Sequence, residues 1–198
     1  MTSPTSIRTM GILAFDDMEV LDYAGPYEVF NVASERWPGP RPQVRSIGTR
    51  AGQVVGRGGF AVVPDADLGD DGYPDVLVVP GGAGTRRLLG DREVVDWVRS
   101  AAHEAQLVLS VCTGALVLAA AGLLDDRPAA THHGALDELA ALSPSVTVVT
   151  GRRFVQSSDR VWTSAGVSAG IDLSLHAVDL LAGPDLRDQV VEEMEWGW

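Results

Sequence analysis

Four groups of residues in this chain have the types and spacing for chemistry: one cysteine, an early aspartate, a glycine pair and a histidine pair. Cys112 stands between the unbroken apolar run Leu107–Val111 and the small, Ala- and Leu-rich run Thr113–Gly122. With no loop between them, a strand meets a helix at the thiol. A thiol at such a corner faces the positive end of the helix and unpaired backbone N–H groups. That setting predicts a lowered thiol pKa and support for a developing oxyanion. Gly114 keeps the turn uncrowded, and Thr113 offers a further N–H and a hydroxyl. The same pattern also suits a buried structural thiol, because free Cys is among the most buried residue types.

Asp22 precedes a helix whose start is expected at Pro26, since a first-turn proline loses only an N–H that has no helical partner. It reads either as a helix cap or as a carboxylate at the carboxyl end of the first strand, where open α/β sheets hold ligands. Gly81 and Gly82 end the apolar run Asp75–Pro80. They either form a plain turn or allow close backbone approach, with a free N–H as a second oxyanion donor. His132, in Ala130-Thr-His-His-Gly134, reads as a pocket-lining or hydrogen-bonding histidine.

The elements that must position these groups alternate between strand and helix. Strands are expected at 10–15, 44–49, 60–63, 75–79, 107–111, 146–150, 154–157 and 161–163. Helices are expected at 26–33, 91–105, 113–122, 135–142, 171–181 and 185–196. Gly52–Gly59 lacks a dinucleotide fingerprint and reads as a hairpin or irregular excursion. Ser164–Gly170 is rich in small residues and lets the next helix pack closely or line a pocket, with Ala165 on that stretch. Residues 1–7 are expected to fray, and Trp196 and Trp198 to seek a buried contact, as between two copies. Glu19 and Arg50 are candidates to pair near the site. Asp172 is expected to cap or pack within its helix, and His103 and His176 to be packing or surface residues. Strands and helices alternating at this spacing predict one α/β domain over residues 1–198: a three-layer sandwich around a mostly parallel sheet, flavodoxin-like in kind.

Composition narrows the function. The 198 residues are 45% hydrophobic, enough for one large core. No apolar run reaches the roughly 20 residues of a membrane span, and no basic-then-apolar leader opens the chain, so a cytoplasmic protein without membrane contact is expected. A net charge of −12, with all 15 basic residues arginine, argues against a nucleic-acid surface and excludes lysine Schiff-base chemistry. A single cysteine excludes an intrachain disulfide and zinc-type cysteine spacing.

The order Asp-x-x-Gly-Pro, Pro-Gly-Gly, Val-Cys-Thr-Gly-Ala, Thr-His and Thr-Ser-Ala-Gly-Val-Ser-Ala-Gly-Ile-Asp runs over residues 9–183. In this the chain resembles the ThiJ/PfpI superfamily, with its class I glutamine amidotransferase-like fold, and within it the isonitrile hydratase branch. The resemblance implies a nucleophilic cysteine on a strained elbow, and a homodimer with its sites near the interface. It matches Asp22 to the acid partner and Thr113 to the residue after the nucleophile. Glu at the position of Asp22, and His after the cysteine as in protease-like members, are absent, which disfavours peptidase chemistry. Ala24 and His133 stand where the closest relatives carry Thr and Trp, pointing to a pocket of different size.

The expected activity is therefore hydration of an isonitrile to an N-substituted formamide through a cysteine thioimidate, without cofactor or metal. Alternatives are glyoxalase-like or deglycase-like action on small α-oxoaldehydes, and a non-catalytic ligand or redox sensor. The same motifs occur in the sensor halves of AraC-type regulators. No basic helix-turn-helix domain follows them here, which weighs against a self-contained regulator.

Overall fold

The computed structural model describes residues 7–70 and 72–197. Seven strands form one sheet: β1 (Thr9–Ala14), β2 (Gln43–Gly48), β3 (Ala66–Asp67), β4 (Val76–Val79), β5 (Leu107–Ser110), β6 (Phe154–Gln156) and β7 (Val161–Ser164). Their spatial order is β6-β7-β5-β4-β1-β2-β3. All neighbours are parallel except the edge pair β6–β7. The central strands β4 and β5 are buried throughout, as continuous apolar runs require when both faces of a sheet are covered. Helices α1 (Val20–Glu35), α6 (Ala169–Ala182) and α7 (Pro184–Glu193) pack together, and α2 (Thr85–Leu88), α3 (Arg92–Glu104), α4 (Gly114–Ala120) and α5 (Leu136–Leu142) form the other group. The result is the expected α/β/α sandwich.

Several elements differ from the sequence expectation for identifiable reasons. Helix α1 starts at Val20, so Pro26 lies inside it and Asp22 in its first turn, not ahead of it. Pro26 has no N–H for the Asp22 carbonyl. Packing outweighs that loss: Phe30 and Val29 are fully buried, and a Cβ on Gly25 would lie 2.9 Å from Ile171 of α6. The close approach expected of the small-residue stretch also holds for Gly170, where a Cβ would lie 2.7 Å from Val111.

The expected hairpin forms, Val54–Val55 pairing antiparallel with Ala61–Val62 around a turn at Arg57–Gly59. Ala61–Val62 therefore belongs to this hairpin and not to the main sheet. Thr147–Val148 likewise pairs with Pro128–Ala129 in a separate two-stranded ladder. Ile7 is buried, correcting the frayed start at that residue; residues 1–6 lie outside the described residues.

The C-terminal helix is part of this molecule's own core. Leu186 and Val190 are buried, Arg36 bonds Glu193 at 2.6 Å, and the Trp196 indole N–H donates to Asp172 Oδ1 at 3.1 Å. Trp196 thus finds its contact within the chain, and Trp198 lies outside the described residues. Asp172 packs within its helix as expected and also holds Arg153. His176 packs between Phe154 and Trp162, with ring centroids at 5.0 and 4.5 Å.

The corner between β5 and α4 depends on Gly114. A Cβ there would lie 2.1 Å from the Val79 carbonyl oxygen and 2.9 Å from that of Pro80, backbone atoms at the end of β4. Gly114→Ala is expected to lower the unfolding free energy by about 3 kcal/mol, as overpacking against rigid backbone does. Urea denaturation checks this; an unchanged midpoint would contradict it.

Candidate functional site

The carboxyl ends of β1, β4, β5 and β7 converge at one edge of the sheet. There β1 delivers the loop to α1 and Asp22, β4 delivers Pro80-Gly81-Gly82, β5 delivers Cys112, and β7 delivers the segment 165–168. This is the edge where open α/β sheets bind ligands.

Cys112 has φ of +58°, a left-handed conformation uncommon outside glycine. The backbone holds it there from two sides. Its N–H donates to the Ala165 carbonyl at 3.2 Å, and its carbonyl accepts the Thr131 hydroxyl at 2.9 Å. Only 6% of the residue is exposed.

Asp22 is fully buried, and its Oδ2 accepts the Gly81 N–H at 3.1 Å. Gly81 is the seam between the two groups. A Cβ on it would fall 2.6 Å from Thr113 N, 2.7 Å from Asp22 Oδ2 and 2.8 Å from Cys112 Cβ, so only glycine lets carboxylate and thiol meet. Asp22 Oδ1 is buried without a formed hydrogen bond. The Cys112 thiol and the Val167 N–H lie close enough to act on the carboxyl's charge, though neither reaches the geometry of a formed bond.

Burial pushes the Asp22 carboxyl up to about 7, with the Cys112 thiol and the Gly81 N–H pulling against that rise. Burial also pushes the Cys112 thiol up to about 12, helped by the negative charge of Asp22 and opposed by the N–H groups of Thr113 and Val167. The lowered thiol pKa expected from the helix end is therefore reversed. Helix α4 has only seven residues, and the carboxylate beside the sulfur and the loss of solvent outweigh its dipole.

Neither glycine offers the free N–H expected of one of them. That of Gly81 goes to Asp22, and that of Gly82 donates to the Thr113 hydroxyl at 2.9 Å. The same hydroxyl donates back to the Gly82 carbonyl at 3.1 Å, so it straps the glycine turn to the cysteine corner. The donors that face the sulfur are instead the N–H groups of Thr113 and Val167.

Val167 escaped the sequence reading. Its φ is +51°, an outlier for a β-branched residue, and nothing in its type announces that its N–H serves the site. The only signal was the small-residue stretch around it.

His132 caps the short turn His133–Ala135, its Nδ1 accepting the Gly134 N–H at 3.1 Å. Its ring lies against Gly166, where a Cβ would come within 2.4 Å, and against the His133 ring at 4.1 Å. Burial, then His133 and Arg86, lower its pKa, which keeps it neutral at pH 7. With Ala165, Gly166 and Val167 it borders an open cleft of about 380 Å³ beside the cysteine corner. Glu19 and Arg50 do not pair with each other. Glu19 binds Arg57 at 2.6 Å and Arg50 binds Asp16 at 3.0 Å. Among the described residues no three His, Cys, Asp or Glu side chains converge to hold a metal ion.

A carboxyl held near 7 when folded and near 3.9 when unfolded binds its extra proton in the folded state between those values. Its stabilising contribution is complete below about pH 4 and is lost as pH rises to about 7, at most about 4 kcal/mol over three units. Asp22→Asn is thus expected to gain stability relative to the parent as pH rises, the difference widening by up to about 3 kcal/mol between about pH 5 and about pH 8. Urea unfolding at both values checks this, and a pH-independent difference would refute it.

The chain is similar to known proteins over most of its length. The DJ-1/PfpI family matches residues 8–180. Isonitrile hydratase of Pseudomonas putida is 35% identical over 187 residues, covering 94% of this chain and 78% of that protein. The HTH-type transcriptional regulator GbdR of Pseudomonas aeruginosa is 29% identical over 93% of this chain, which spans only 50% of the regulator. Among solved structures, a ThiJ/PfpI family protein from Pseudomonas syringae superposes with a TM-score of 0.86 at 27% identity, over 98% of this chain and 77% of that one. On the sequence match and the shared fold alike, this chain belongs to the DJ-1/PfpI family.

Proposed function

We propose that the protein hydrates isonitriles to N-substituted formamides, with Cys112 as nucleophile and Asp22 as the group that moves the proton. The observation that carries this reading is the meeting of thiol and carboxyl across Gly81, with the carboxyl raised to about 7. An isonitrile carbon must gain both a nucleophile and a proton, so the chemistry needs an acid within reach of the thiolate.

The sulfur attacks the terminal carbon of R–N≡C as Asp22 receives the thiol proton and returns it to that carbon, giving the thioimidate R–N=CH–S–Cys112. Water then adds across C=N, its oxygen to carbon and a proton to nitrogen, with Asp22 as the base that activates it. Breaking the C–S bond and returning the remaining hydroxyl proton to sulfur releases R–NH–CHO. The sum is addition of water with no change in oxidation state, so neither metal nor redox cofactor enters. The N–H groups of Thr113 and Val167 support negative charge on the sulfur as it forms and leaves. The Thr113 hydroxyl, Gly81 and Gly82 fix the geometry, while His132 and Ala165 wall the cleft. The relationship to isonitrile hydratase supports the substrate class. A homodimer belongs to the same reading, visible as twice the chain mass in light scattering.

The test is to incubate the protein and its Cys112→Ala variant with an aromatic and an aliphatic isonitrile and follow formamide by chromatography. Formamide from the parent alone is expected. Turnover by Cys112→Ala would end the covalent route, and consumption of methylglyoxal in place of isonitrile would favour an α-oxoaldehyde substrate.

The pH dependence has a definite sign. Below about 7 the pair holds two protons, as thiol and acid; between about 7 and about 12 it holds one, the count shared by thiol–carboxylate and thiolate–acid. The value of kcat/KM is therefore expected to rise with pH through about 7, and Asp22→Asn to lose roughly a hundredfold or more. A profile falling through that range would contradict the assignment.

A further inference from the structure

The cleft beside Cys112 carries charge of one sign. Arg152 is the one permanently charged side chain that lines it, and none of the lining residues is Asp or Glu. This is unusual in a chain of net charge −12, in which most arginines are committed to carboxylates. Two acidic groups near the histidine loop are each paired, Glu19 with Arg57 at 2.6 Å and Glu138 with Arg86 at 2.5 Å, while Asp137 is exposed on the helix beyond the loop and does not line the cleft. Arg152, by contrast, is exposed and has neither a salt bridge nor a side-chain hydrogen bond among the described residues.

Its neighbour Arg153 makes the contrast plain, being bound to both Asp172 and Ser168. Two adjacent arginines thus have different fates: one is built into the fold at the start of α6, and the other is left facing the cleft with all its donors available. A guanidinium with a planar fork of N–H donors is matched by a carboxylate, which it binds through two parallel bonds.

We propose that the substrate carries a carboxylate, held by Arg152 while its isonitrile carbon reaches Cys112. The substrate class is an isocyano carboxylic acid, and its hydration product is the corresponding N-formyl amino acid. The inference rests on the isonitrile reading given above. A cleft of about 380 Å³ suits a molecule of this size and is small for a large apolar one. A guanidinium in a wall free of carboxylates attracts such an anion at short range.

The test compares isocyanoalkanoate salts of increasing chain length with their methyl esters, as kcat/KM, in the parent and in Arg152→Gln. For the chain length that spans the cleft, the parent is expected to prefer the acid over its ester by roughly ten- to hundredfold, the worth of one charged hydrogen-bonded pair. In Arg152→Gln that ratio should collapse toward one. Equal rates for acid and ester in the parent, or an equal loss on both in the variant, would overturn the inference while leaving isonitrile hydration standing.

A second readout does not depend on turnover. Calorimetry of the Cys112→Ala protein with N-formyl amino acids and their methyl esters should show binding of the acids that weakens at least tenfold in Arg152→Gln and falls with added salt. If the parent hydrates no isonitrile, the reading of the reaction fails, and this measurement alone decides the carboxylate subsite. Arg152-dependent binding upholds it, and equal binding of acid and ester overturns it.

Discussion

The structure depends on a carboxyl group kept out of water beside a thiol. Asp22 is fully buried with a single formed hydrogen bond, from the Gly81 N–H, and one oxygen left without a partner. A group in that state resists ionisation, and its neighbours must hold it there against the tendency to seek solvent. They do so through backbone. The Glu19 N–H donates to the Gly81 carbonyl at 2.8 Å, Met18 bridges Gly82, and the Thr113 hydroxyl bonds both polar groups of Gly82. The loop after β1, the turn after β4 and the corner after β5 are thereby fastened to one another. The early start of α1 follows from the same constraint, since it carries Asp22 inward on a helix that packs against α6.

This arrangement sets the protonation state of the cysteine. A low-pKa thiolate at a helix end is stable and correspondingly less nucleophilic, whereas here burial and the adjacent carboxyl hold the thiol at about 12. In the reaction proposed above, the proton therefore moves within the pair at the moment of attack. His132 is not placed to do this work, because its Nδ1 is committed to the Gly134 N–H and its ring is wedged against Gly166. A single carboxyl that both takes and returns a proton suits a reaction that adds water, in which the carbon attacked by sulfur must itself be protonated.

Much of this was legible in the sequence, and the parts that were not share a cause. The buried strands β1, β4 and β5, the helix α3 and the corner at Cys112 follow from apolar runs and local chemistry. The two-residue strand Ala66–Asp67 is too short to show alternation, and Pro26 gave a misleading helix start because packing on α6 overrode its local preference. At the site, residue types announced Asp22, Cys112, Gly81 and His132. The destinations of individual N–H groups were hidden, because any residue can supply one. The exchange of the expected glycine donor for the Val167 N–H is of this kind.

Two residues in the left-handed region, Cys112 and Val167, face each other across the ends of β5 and β7. Non-glycine residues held there cost on the order of 1–3 kcal/mol each and persist only where the surroundings leave no alternative. The surroundings here are the parallel pairing of Val108, Leu109 and Ser110 with Val161, Trp162 and Thr163, continued by the bond from the Cys112 N–H to Ala165. That last bond engages the cysteine's own N–H, while the N–H groups of Thr113 and Val167 face the sulfur. The parallel ladder that leads into both residues brings the sulfur, the carboxyl and the donors facing them to one edge of the sheet.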